Sequence, residues 1–106
     1  SFFTDAFVIP VAIVNNTGYD ITGIALAPDD SEDFGDNQIS GVISSGETAL
    51  TDFYFTEDTL VWNILLEAKN ENFAFETVIW GLDFTYGSTL ILMSTEGGDI
   101  YAYVAE

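Results

Sequence analysis

The residues with the most chemistry to offer are the carboxylates. The stretch from Asp29 to Asp36 reads DDSEDFGD, five acids in eight residues with a glycine near its end. Calcium takes roughly six to eight oxygens, mostly carboxylate and carbonyl, from a chain able to turn sharply. Asp29, Asp30, Glu32, Asp33 and Asp36 offer such oxygens, and Gly35 offers the turn. These five are the candidate metal ligands, and calcium is the candidate ion. The spacing departs from the EF-hand pattern, so no known calcium loop is being read. A solvated acidic loop accounts for the same residues. So does a structural loop in which Ser31 or Asp33 caps a short helical turn near Phe34 to Ile39, with Phe34 as the plug that pins it.

Aromatic rings are the second resource. Modules that bind polysaccharides stack sugar rings on exposed Trp or Tyr, which present an apolar face and a polar edge. Trp62 shares its face with Leu60, Ile64 and Leu66 and belongs to the core by that alternation. Trp80, Tyr101, Tyr103 and Tyr54 fall on faces that alternate with the apolar ones, and these four are the candidate ligand-binding rings. Cross-strand aromatic pairs that only stabilise a sheet are the competing reading.

Catalysis has little to work with. There is no His, Cys or Arg, which removes imidazole triads, thiolate chemistry and guanidinium clamps. Paired carboxylates for glycoside cleavage must lie about 5–10 Å apart across a cleft. Among 18 Asp and Glu no pair stands out, so the chain reads as non-enzymatic.

The charge balance narrows the partners. Those 18 acids face one basic residue, Lys69, for a formal net charge of −17. Nucleic acid binding needs cationic side chains to replace condensed counterions, and is excluded on that ground. An anionic membrane surface is disfavoured for the same reason. The apolar run from Ala6 to Val14 is too short to span a bilayer, so no membrane insertion is expected. Polysaccharides and protein partners remain open. Self-repulsion opposes folding, so salt or divalent cations should stabilise the domain.

The elements that must position these residues are strands. The chain has 106 residues, enough for one domain over residues 1–106. Nearly half of the residues are apolar and the dominant period is two. Strands are expected at Phe7–Val14, Asp20–Ala27, Glu47–Thr56, Thr59–Ala68, Phe73–Trp80, Ser88–Ser94 and Ile100–Val104. Pro10 suggests an edge position or a bulge in the first. Gly81 to Gly87 is read as a loop, and Gly97-Gly98 suits a tight hairpin turn. Seven short strands at this spacing imply an all-β fold, a single antiparallel β-sandwich. Asn15-Asn16-Thr17 also matches the glycosylation pattern.

Several of the turn signals resemble a group of small domains in secreted or lipoprotein-like bacterial chains. The matching residues are Asn16-Thr17-Gly18, Ala27-Pro28, Glu32-Asp33-Phe34-Gly35, Gly46-Glu47 and Gly81 to Phe84. Phe34 stands where those domains usually carry Trp, and Glu32 where they carry Asp. The resemblance implies a secreted or cell-envelope β domain and assigns no activity. The combined expectation is a non-enzymatic extracytoplasmic module for binding or assembly, carbohydrate-binding and calcium-stabilised. The alternative is a structural, protein-interaction or adhesion domain with no small-molecule ligand.

Overall fold

The computed structural model describes residues 7–106, and Ala6, at the head of the first apolar run, lies outside them. Seven strands follow in order: β1 (Phe7–Asn16), β2 (Asp20–Pro28), β3 (Thr48–Phe55), β4 (Val61–Lys69), β5 (Ala74–Asp83), β6 (Thr89–Ser94) and β7 (Ile100–Ala105). They form two sheets packed face to face, in the orders β3-β1-β6-β7 and β2-β4-β5. The all-β sandwich is thus as the period of two implies.

One pairing departs from a wholly antiparallel arrangement. β1 and β6 run parallel, with Ala12 beside Thr89 and Asn16 beside Met93. All other pairs are antiparallel. The parallel pair also places β1 inside its sheet, with neighbours on both sides, so Pro10 is not on an edge strand. Its missing N–H is tolerated for a local reason. The Ala12 N–H points toward β6 and donates to Ser88 O at 2.9 Å. Pro10 has the same parity, but β6 pairing begins only at Ala12, so no ladder donor is lost.

The inward positions fill the space between the sheets. Val11, Ile13, Phe53, Phe55, Leu90 and Leu92 come from one sheet, and Ile24, Leu26, Trp62, Ile64 and Leu66 from the other. Trp62 is fully buried, as its face requires, and stacks on Phe55 at 4.8 Å. Its indole N–H donates to Thr59 O at 2.8 Å, which satisfies the one polar atom that burial would strand.

The segment read as a loop from Gly81 begins as strand. β5 continues to Asp83 because Trp80 and Gly81 together oppose Asn63, a bulge that restores the register at Leu82. Gly81 adopts a φ of 66° there, a conformation that favours glycine. Leu82 and Phe84 then return to the core.

The Asn-Asn-Thr-Gly turn is a locked corner. Asn15 is buried, donating through Nδ2 to Tyr19 O (2.8 Å) and Ile43 O (2.9 Å) and accepting the Thr17 hydroxyl at 2.7 Å. Both amide protons of Asn15 are occupied in the fold, which opposes the glycosylation reading of this motif.

Candidate functional site

The acidic connection is not helical. Between Asp29 and Glu47 the chain runs as an extended seal along the free edge of β2. Gly35 N–H donates to Leu26 O at 3.0 Å and Gln38 N–H to Ile24 O at 2.7 Å. The Asn37 Oδ1 accepts from Ile24 N–H and Ile39 N–H. Ile21 and Ile43 then exchange two bonds of 2.9 Å. Of the donors that would close a helical turn from Phe34 to Ile39, the Gln38 N–H is taken by β2 and the Ile39 N–H by the Asn37 side chain. This is the physical reason the expected turn is absent. Ser31 still accepts the Asp33 N–H at 3.0 Å, but as a local turn in an extended chain.

The plug is also different. Phe34 is only half-buried, whereas Ile39 and Ile43 are buried in the core. The loop is latched at its start by Asn63, whose Nδ2 donates to Pro28 O, Asp29 O and Ser31 O at 3.2, 3.3 and 3.0 Å. The Asn63 Oδ1 accepts from Gly81 N–H at 2.8 Å, so one side chain fixes both the loop and the β5 bulge. On its far side the loop reaches the other sheet, where Gln38 Oε1 accepts the Tyr54 N–H of β3 at 3.0 Å. β2 and β3 are edge strands of opposite sheets, and the loop joins them.

A groove of about 570 Å³ lies where loop and β3 meet. Its apolar lining includes Leu26, Pro28, Phe34, Tyr54 and Trp62. Its polar lining includes Asp33, Asp36, Asn37, Gln38 and Thr56. The size is that of small-ligand sites generally. Tyr54 is 58% exposed, so its ring is presented rather than consumed by packing.

The groove brings together three of the residues singled out from sequence: Tyr54 with Asp33 and Asp36. Asp29, Asp30 and Glu32 are exposed on the same loop but outside the lining. Among the described residues no three Asp or Glu converge into a group that could hold a metal ion. Trp80 is exposed on β5, and Tyr101 and Tyr103 are about half exposed on β7. The four candidate rings therefore lie on three different strands and do not form one platform. Phe34, Asn37, Gln38 and Thr56 were not read as ligand contacts. Thr56 follows β3 two residues after Tyr54, but only folding the loop back along β2 brings Phe34, Asn37 and Gln38 opposite β3, and no local pattern encodes that.

Two carboxylates outside the groove act as turn locks. Hydrogen bonds from the Ser44 side chain and backbone hold the Glu47 carboxyl below its ordinary pKa. The Thr85 hydroxyl and N–H do the same for Asp83. At the end of the sandwich away from the groove, Tyr19 packs edge-on against Phe75 at 5.0 Å, and its hydroxyl donates to Gly98 O at 3.1 Å. That ring is committed to holding the two turns together.

Fold and groove together define a small all-β sandwich with a lateral, aromatic and acidic groove. No protein-family model, curated protein or solved structure matches the chain. No helix among the described residues is long and apolar enough to cross a membrane.

Proposed function

We propose that this domain is a non-enzymatic, extracytoplasmic binding module whose groove takes a carbohydrate. The observation that carries the reading is the exposed Tyr54 ring lining the same groove as Phe34, Asp33, Asp36, Asn37 and Gln38. Aromatic faces stack on the apolar faces of sugar rings, while carboxylates and amides accept and donate to hydroxyls. A formal charge of −17 disfavours anionic sugars, leaving neutral or amino sugars as the class. The absence of His, Cys and Arg supports binding rather than turnover. The extracytoplasmic setting is supported by the resemblance to secreted and lipoprotein-like bacterial domains. Calcium enters as a stabiliser of the acidic loop rather than as a ligand bridge.

Affinity electrophoresis against a panel of polysaccharides, followed by calorimetry on any that retard the protein, tests this. Tyr54→Ala should weaken binding roughly tenfold, the equivalent of about 1.4 kcal/mol. Trp80→Ala, whose ring is not part of the groove lining, should leave it unchanged. Retardation that survives Tyr54→Ala and Phe34→Ala but is lost with Trp80→Ala would move the site to β5. For calcium, the thermal midpoint should rise more at millimolar calcium than in monovalent salt of equal ionic strength. Equal shifts would reduce calcium to screening.

A further inference from the structure

We infer that the outer face of the β3-β1-β6-β7 sheet is a self-association surface, and that its occupant is the same face of a second copy of this chain. A sandwich sheet normally buries one face and wets the other, giving polar residues at outward positions. Here most outward positions are apolar as well, Asn16, Thr48, Asp52 and Thr89 being the polar ones. Tyr103, Ile91 and Val14 lie in register across three strands, with Tyr101 beside Met93 in the next row. Leu50 on β3 is 77% exposed.

Charge decides between occupants. The four strands of this sheet carry one carboxylate, Asp52, and no cation, whereas the whole chain carries 18 acids. A basic partner would be steered to the carboxylate-rich surfaces, not to the one face that offers only Asp52. Anionic lipid would be repelled by the molecule as a whole. A second copy carries the same net charge and is repelled least when it approaches this face. Stacking face on face about a two-fold axis sets apolar rows against apolar rows and keeps the acidic loops at the rim. Pairing β7 edges instead would bring the flanking acids Asp99 and Glu106 of the two copies together, which like charge opposes.

The size of the face sets the strength. Four strands about 4.8 Å apart and about eight residues long give a plan area of roughly 500 Å² per copy. Standard stable interfaces take about 800 Å² per partner, so the dimer is weak and concentration-dependent. Its salt response has a definite sign. Screening removes repulsion but not apolar contact, so added salt strengthens the dimer, whereas it would weaken docking of a basic partner.

Sedimentation equilibrium on the full chain, from low micromolar to about 0.5 mM, tests this at low and high NaCl. The expected result is a reversible monomer–dimer equilibrium whose dimer fraction grows with salt. Leu50→Glu and Tyr103→Glu, both at exposed positions, should each lower the association constant at least tenfold while the thermal midpoint of the monomer holds. Trp80→Glu on the other sheet should leave association intact. A chain that stays monomeric throughout, or dimerises equally well with Leu50→Glu and Tyr103→Glu, overturns the inference. So does association that weakens with salt. Flotation of the protein with phosphatidylcholine vesicles, abolished by the same two substitutions, would assign the face to lipid instead.

Discussion

Asn63 holds the groove in place, and its replacement by alanine should destabilise the domain by about 3 kcal/mol. The figure follows from its contacts. A side-chain amide has two N–H protons, so the carbonyls of Pro28, Asp29 and Ser31 at 3.0–3.3 Å share two full hydrogen bonds. The bond accepted from Gly81 N–H makes a third. Each contributes about 1 kcal/mol net. The site is only 1% exposed, so water does not simply replace the lost partner, and the true value lies at or above the sum. For a domain of this size, roughly 4–8 °C of melting temperature is lost per kcal/mol, giving a fall of about 12–24 °C. Urea unfolding followed by circular dichroism is the assay, with an unchanged m-value showing that the unfolded state is the same. Asn63→Asp sharpens the test. It keeps the shape and the acceptor for Gly81, but at neutral pH turns a carboxylate toward three carbonyl oxygens. It should be at least as damaging as alanine at pH 7. Its carboxyl pKa is raised in the fold, so it should recover stability as pH falls and the group protonates. An alanine variant within about 1 kcal/mol of the parent, or an aspartate variant more stable than alanine at pH 7, refutes the latch.

Two further outcomes follow from the same geometry. Ile39→Ala and Ile43→Ala should each lower stability by about 2–4 kcal/mol in urea unfolding, and Phe34→Ala by less than about 1, because the isoleucines are buried and the phenylalanine is not. Thermal midpoints should rise with NaCl and with mild acidification as repulsion among the carboxylates declines, read by calorimetry across pH. At lower pH the trend should reverse: Glu47 and Asp83 have lowered pKa values in the fold, so their turn-locking bonds hold at neutral pH and are lost as pH falls through those values.

Strands were legible because their signal is local. Alternation on β4 placed Trp62 inside, and the chain of Gly, Asn and Asp turns set element ends within a few residues. What could not be read was non-local. The β1–β6 contact joins residues far apart in sequence, and nothing in the FVIPVAIV run announces that its second half has a parallel neighbour. The loop misled for a related reason. An aromatic among acids draws attention to Phe34, yet the anchors are Ile39 and Ile43, which look unremarkable until β2 offers them an edge. Tyr54 was visible as an exposed ring, and Asp33 and Asp36 as acids. That they share one groove depends on Gln38 reaching the Tyr54 N–H, a contact between segments that no spacing rule connects.

The distribution of charge needs more explanation than its total. An acidic surface serving solubility alone would use the outward positions of every strand, since those are where side chains meet water. The β2-β4-β5 sheet does so in part, with Asp20, Glu67, Glu76 and Asp83 on its strands. The other sheet has only Asp52. Repulsion makes contacts with other acidic molecules unfavourable over most of the domain, and the face poorest in carboxylates is also the one with the exposed Leu50 and tyrosines. Acidity of this kind directs association as well as opposing it: by making the rest of the surface more repulsive to like-charged neighbours, it favours one orientation in which two copies meet.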